Sequence, residues 1–138
     1  MSRIVYTNGI YVPEDEARVS VFDRGFLFGD AVYEVTSVLE GRLIDFAGHM
    51  RRLRRSLAEL SLASPADDQA LLEIHRELLR RNGLSEGGVY MMVSRGVADR
   101  DFVFPPETTR PTLVAFTQSW NEAKSPEIET GLKVAFVP

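Results

Sequence analysis

Polar and apolar side chains alternate along Val32-Tyr33-Glu34-Val35-Thr36-Ser37-Val38. That period of two predicts a strand over Val32–Leu39. Tyr33, Val35 and Ser37 share one face; Val32, Glu34, Thr36 and Val38 share the other. A phenol beside a small apolar side chain and a hydroxyl suits a pocket wall, and equally an ordinary sheet core. Upstream, Asp23-Arg24-Gly25 and Gly29-Asp30 read as two turns, with both glycines serving backbone geometry. Ile4–Thr7 and Ile10–Val12 flank Asn8-Gly9, the pair a two-residue hairpin turn prefers. Pro13–Glu16 is a polar loop, and Arg18–Val21 a short strand candidate. Glu40-Gly41 turns the long strand back along Arg42–Asp45.

The period then changes. Met50, Leu53, Leu57 and Leu60 recur at helical spacing and predict a helix over about Ala47–Leu62. Arg51, Arg52, Arg54 and Arg55 surround that stripe, which is the usual look of a solvated face. Arg52 nevertheless lies one turn from His49 on the same flank, where an arginine bordering a cleft could meet an anion. A second helix starts around Ser64–Asp68 with acids in its first turn. It carries Leu71, Leu72, Ile74, Leu78 and Leu79 on its buried stripe and closes at Arg80-Arg81-Asn82-Gly83. His75, inside it, reads as structural or surface. Gly88–Arg95 is a strand with Tyr90 and Met92 on one face, and Thr112–Gln118 another. The loop between them, Gly96–Thr109, is long for a compact domain, and such loops often carry function. After the polar stretch Ser119–Gly131, Leu132–Val137 reads as a last strand, its open edge suited to pairing. Strands, two helices, then strands predict an α+β fold: a mostly antiparallel sheet packed against two main helices, one domain spanning 1–138.

Composition narrows the chemistry. With 138 residues, 44% hydrophobic and 26% charged, the chain suits a soluble globular domain, expected to be cytoplasmic. The net charge of -4 gives no reason to expect nucleic acid or membrane partners. Cysteine is absent, which removes disulfides and a thiol nucleophile. His49 and His75 lack ligand spacing, so no metal site is expected. Only two of the 16 basic residues are lysines, Lys124 and Lys133.

The stretch Phe22–Val35, FDRGFLFGDAVYEV, resembles the N-terminal signature of the fold-type IV (class IV) aminotransferases that use pyridoxal 5'-phosphate (PLP). The likeness continues through Gly48-His49-Met50-Arg51-Arg52-Leu53, through Val89–Gly96 and at Pro105, in order and over nearly the whole chain. It is most like the D-amino-acid aminotransferases. The resemblance implies a homodimeric enzyme exchanging an amino group between a D-amino acid and a 2-oxo acid. By the same resemblance Arg52 holds the PLP phosphate, in the H-x-x-R-L pattern His49–Leu53. Guanidinium chemistry suits that task, being a planar, permanently charged fork. Tyr33 is implied to help hold the substrate carboxylate, with Val35 in the same pocket. Arg100 is implied to bind the α-carboxylate in the neighbouring subunit's site. Arg95 is a second candidate anion contact, more in keeping with a structural ion pair, and Glu34 reads as structural. The family's histidine two residues after Arg100 is here Phe102, which leaves the carboxylate one donor short.

The Schiff-base lysine of the family lies beyond Pro138. Lys133 comes too early and Lys124 sits in a polar loop, so the chain alone is expected to lack the C-terminal cofactor domain and to be catalytically silent. Related readings remain. Aminodeoxychorismate lyases tend to carry Phe-Glu-Thr at positions 33–35, branched-chain aminotransferases a glycine after the glutamate, and R-selective amine transaminases an aspartate at position 34. A non-catalytic module that binds anions or a partner is the alternative from another class.

Overall fold

A computed structural model describes residues 2–120 and 125–137. Lys124 therefore lies outside the described residues. The chain runs β1 (Ile4–Thr7), β2 (Ile10–Pro13), α1 (Arg24–Phe28), β3 (Ala31–Leu39), β4 (Arg42–Leu43), α2 (Phe46–Glu59), α3 (Asp68–Asn82), β5 (Gly87–Ser94), β6 (Thr112–Ser119) and α4 (Pro126–Thr130). The strands form one six-stranded sheet in the order β2-β1-β6-β5-β3-β4, antiparallel at every junction. The expected α+β architecture is what the chain adopts.

Local chemistry explains most of these elements. Asn8 and Gly9 both take positive φ, 47° and 102°, which a two-residue hairpin turn demands. Asn8 also ties that hairpin to β6, its backbone N–H donating to the Leu113 carbonyl and its side chain accepting from the Leu113 N–H. Asp67 caps α3 by accepting from the Ala70 N–H, and Gly83 closes the helix in the left-handed region. Register decides the faces: Glu34 opposes Met91 and Thr36 opposes Val89, while Tyr33 opposes Met92 and Val35 opposes Tyr90. The helices cover the Glu34 face. Met50, Leu53 and Leu57 of α2, with Leu71, Ile74, Leu78 and Leu79 of α3, bury against Val38, Val89, Met91, Val93, Leu113 and Ala115. Each such large side chain contributes roughly 1.5–3 kcal/mol. The other sheet face carries Tyr33, Tyr90 and Phe116, stacked with centroids 5.6 and 4.9 Å apart, and Arg3 lies over the Phe116 ring.

Three expectations fail. Arg18–Val21 forms no strand; Arg18 instead donates to the carbonyls of Asp15 and Ala17, and Val19 and Val21 stand exposed. Asp23-Arg24-Gly25 is not a turn but the start of α1, with Asp23 as its cap and Gly29 its left-handed end. Leu132–Val137 joins no ladder among the described residues. Its apolar side chains are exposed, because β-propensity without a neighbouring strand gives no pairing. The polar stretch also holds a short helix, α4, that its pattern does not predict; Pro126 starts it.

Candidate active site

β4 pairs only with the last two residues of β3, Val38 and Leu39. The outer side of β3 from Val32 to Thr36 therefore faces no described strand, and the candidate residues gather on that edge. Tyr33 projects from the open face and is 64% exposed, and its hydroxyl bonds to no described residue. Val35 follows it on the same face, half-buried. Glu34 points the other way into the helix-covered side, where it is fully buried. Its carboxylate is well partnered. Arg52 donates from Nε to Oε1 at 2.8 Å and from Nη2 to Oε2 at 2.6 Å, and His49 Nδ1 reaches Oε2 at 2.8 Å. The three-residue spacing of His49 and Arg52 on α2 brings both onto one carboxylate.

The electrostatics follow. Burial pushes the Glu34 carboxyl up, but the hydrogen bonds from Arg52 and His49 more than offset that and hold it below its usual range. The same bond raises Arg52 further, and Tyr33 adds a smaller electrostatic contribution, so phenol and guanidinium lie within each other's field. Arg52 uses Nε and Nη2 on Glu34 and makes no bond to a described residue from Nη1. The result is an arginine gripped from behind, with one side of its fork free at an open edge.

A second cluster builds around Asp30. Arg24 donates to it at 2.9 Å and Arg95 grips it from Nε and Nη2 at 2.6 and 3.0 Å. Arg95 also donates to the carbonyls of Leu60 and Ser61, just beyond α2. Arg95 is thus committed to a structural ion pair. Burial raises the Asp30 carboxyl, and the bonds from Arg95 and Arg24 override it and lower it. Arg24 reaches onward to the Asp101 carbonyl at 3.0 Å, which pins the 96–111 loop. Arg100, next along, contacts the Phe28 and Phe102 rings and no candidate on β3. The structure thus brings Tyr33, Val35 and Arg52 to one edge and leaves Arg100 apart from them.

Sequence reasoning undervalued Glu34. The available signal was a carboxylate on an otherwise apolar strand face, with His49 and Arg52 at helical spacing. Lys133 is exposed and bonds to no described residue. Among the described residues no cluster of carboxylates and histidines could hold a metal ion, and no helix is long and apolar enough to cross a membrane.

Residues 31–137 match the family described as amino-transferase class IV. The chain belongs to the class IV aminotransferases. Among curated relatives it is similar to the D-alanine aminotransferase of Staphylococcus haemolyticus, 35% identical over 96% of this chain and 47% of the relative. It is also similar to that of Staphylococcus epidermidis, 37% identical over 93% of this chain and 45% of the relative. The chain spans about half the length of these relatives. Among solved structures, the Escherichia coli branched-chain amino acid aminotransferase superposes with a TM-score of 0.79 at 20% identity, over 92% of this chain and 43% of that one. The Pseudomonas aeruginosa 4-amino-4-deoxychorismate lyase superposes at 0.65 with 26% identity, over 83% of this chain and 39% of that one. The former likeness shows the shared fold. Class IV aminotransferases are PLP-dependent, and one structural neighbour, a second branched-chain amino acid aminotransferase, is complexed with N-(5'-phosphopyridoxyl)-L-glutamate.

Proposed function

We propose that residues 1–138 are the N-terminal domain of a PLP-dependent transaminase that moves an amino group between a D-amino acid and a 2-oxo acid. The reading includes a cytoplasmic homodimer whose cofactor domain and Schiff-base lysine belong to the rest of the protein. One observation carries it: a guanidinium, Arg52, is held by a buried carboxylate at an open strand edge, beside a free phenol. A phosphate ester suits that donor set. The Nη1 side of Arg52 presents hydrogens in a fixed plane, and Glu34 prevents the fork from swinging away. Because Glu34 offsets part of the positive charge, Arg52 binds as one member of a larger phosphate cradle. When bound, PLP supplies the carbonyl that accepts the amino group and the ring that withdraws electrons from the substrate's Cα. This chain's residues position. Arg52 fixes the phosphate, Tyr33 donates its hydroxyl hydrogen to the substrate carboxylate, Val35 walls the pocket, and Arg100 pairs with a carboxylate in the neighbouring subunit.

The D-amino-acid assignment rests on Tyr33-Glu34-Val35 and on the likeness to two D-alanine aminotransferases. It is tested in the full-length protein. Amino transfer from D-alanine to a 2-oxo acid is expected, with L-alanine and L-leucine poor donors. Preference for L-leucine overturns the assignment in favour of a branched-chain enzyme. Arg52→Ala is expected to weaken PLP binding at least about tenfold, the share of a charge-assisted bond. Unchanged PLP affinity removes the phosphate role.

A further inference from the structure

Among the described arginines that lie against aromatic rings, Arg100 alone has no hydrogen bond and no ion pair with any described residue. The residue is exposed, and rings rather than acids meet its guanidinium. Its central carbon lies 5.4 Å from the Phe28 ring centroid and 5.2 Å from that of Phe102. The two rings are 6.1 Å apart and tilted by 56°. Both guanidinium distances fall within the range of a cation–π contact. Phe28 is itself fixed from α1, where Arg24 lies over its ring at 4.6 Å and is locked in turn by Asp30. The backbone beside Arg100 is pinned by the bond from Arg24 to the Asp101 carbonyl. The acids flanking Arg100 are occupied or out of contact. Asp101 accepts from the Val103 N–H, and Asp99 pairs with no described residue.

The chemistry of a guanidinium makes this arrangement directional. Its faces are weakly hydrated and attract rings, whereas its N–H bonds all lie in the plane. Aromatic contact therefore orders the head without consuming a single donor. An ion pair would order it too, but would fill the edge that an incoming anion needs.

We propose that Phe28 and Phe102 clamp Arg100 so that its free N–H edge takes a substrate carboxylate, and that Phe102 is a specificity-determining residue setting the strength of that grip. This rests on the reading of Arg100 as the carboxylate partner. At position 102 the chain provides a ring face that steadies the arginine rather than a second hydrogen-bond donor. Carboxylate binding through Arg100 is then sensitive to the aromatic character of residue 102, not merely to its bulk.

The test uses the full-length protein and steady-state kinetics with D-alanine and a 2-oxo acid, alongside inhibition by acetate. Phe102 is 81% exposed, so its substitution leaves the fold intact. Phe102→Leu keeps bulk and removes the quadrupole. It is expected to raise KM and the acetate inhibition constant about two- to fivefold with kcat within about twofold. Phe102→Trp, with the stronger ring face, is expected to leave both constants equal or lower. Leu and Trp variants indistinguishable from the wild type, or shifted alike, overturn the clamp. Arg100→Ala separates the two layers. A KM rise of about tenfold or more beside a silent Phe102→Leu removes the clamp alone, whereas an unchanged KM removes the carboxylate reading and the clamp together.

Discussion

Glu34 and Tyr33 are neighbours on one strand with opposite duties. The Glu34 carboxylate is buried and accepts three bonds, so its removal strands donors from Arg52 and His49. Arg52 is half in water, which limits the cost. Glu34→Gln is expected to lower stability by about 1–3 kcal/mol, read as a fall in the urea midpoint. In the full-length protein it should also weaken PLP binding, because Arg52 loses its grip. Tyr33→Phe tests the reverse case. The hydroxyl bonds to no described residue, so stability should stay within about 0.5 kcal/mol while KM for the amino acid rises. A Tyr33→Phe protein with wild-type KM would show that the phenol plays no part in holding substrate.

At the scale of elements, α1 shows why the sequence is partly opaque. Five residues between Asp23 and Gly29 are too short for a hydrophobic period to develop, so the stretch reads as two turns. Its caps are visible in the sequence and its helicity is not. The glycines also differ from their sequence reading. Gly29, at φ 67°, serves backbone geometry as expected. Gly25 has no positive φ; there a Cβ would meet Ser94 Cβ at 2.8 Å and Met92 Cε at 3.0 Å, so its role is to let α1 sit against β5. Gly25→Ala should therefore cost more, about 2 kcal/mol, than Gly29→Ala at about 1 kcal/mol, by urea denaturation of each. Equal losses would mean α1 can ride outward freely. By contrast, β3 is legible to its faces and α2 to its buried stripe, because alternation and the 3.6-residue period persist long enough to be unambiguous. The loop holding Arg100 is legible only as long; its anchor, Arg24, lies 77 residues before Asp101 in the sequence and is itself held by Asp30. No local pattern encodes that meeting.

Across the whole molecule, acid should act in two stages, because a buried histidine and two ion-paired carboxylates titrate in different ranges. His75 is fully buried, its Nδ1 donating to the Leu71 carbonyl and its ring edge-on to Phe46, and Nε2 has no partner among the described residues. Burial depresses its pKa from 6.5 to about 4; the bond to Leu71 opposes that shift and His49 reinforces it. Between those values the unfolded chain binds a proton that the folded chain refuses. Stability is therefore full above about 6.5 and declines as pH falls toward 4, by up to about 3 kcal/mol. Glu34 and Asp30 act lower down. Their folded pKa values lie below the ordinary carboxylate range, so their contributions are intact above that range and are lost as pH falls from it through those depressed values. The exposed Glu77 pairs with Arg80 and Arg81 add little, being screened by water. Urea midpoints in steps from about pH 7.5 to 3 resolve the stages. His75→Leu fills the site without a titrating ring, so its midpoint should stay flat from about 6.5 to about 4.5 and then fall with the carboxylates. A His75→Leu protein that weakens over that upper interval as steeply as the parent would place the acid sensitivity somewhere other than this core histidine.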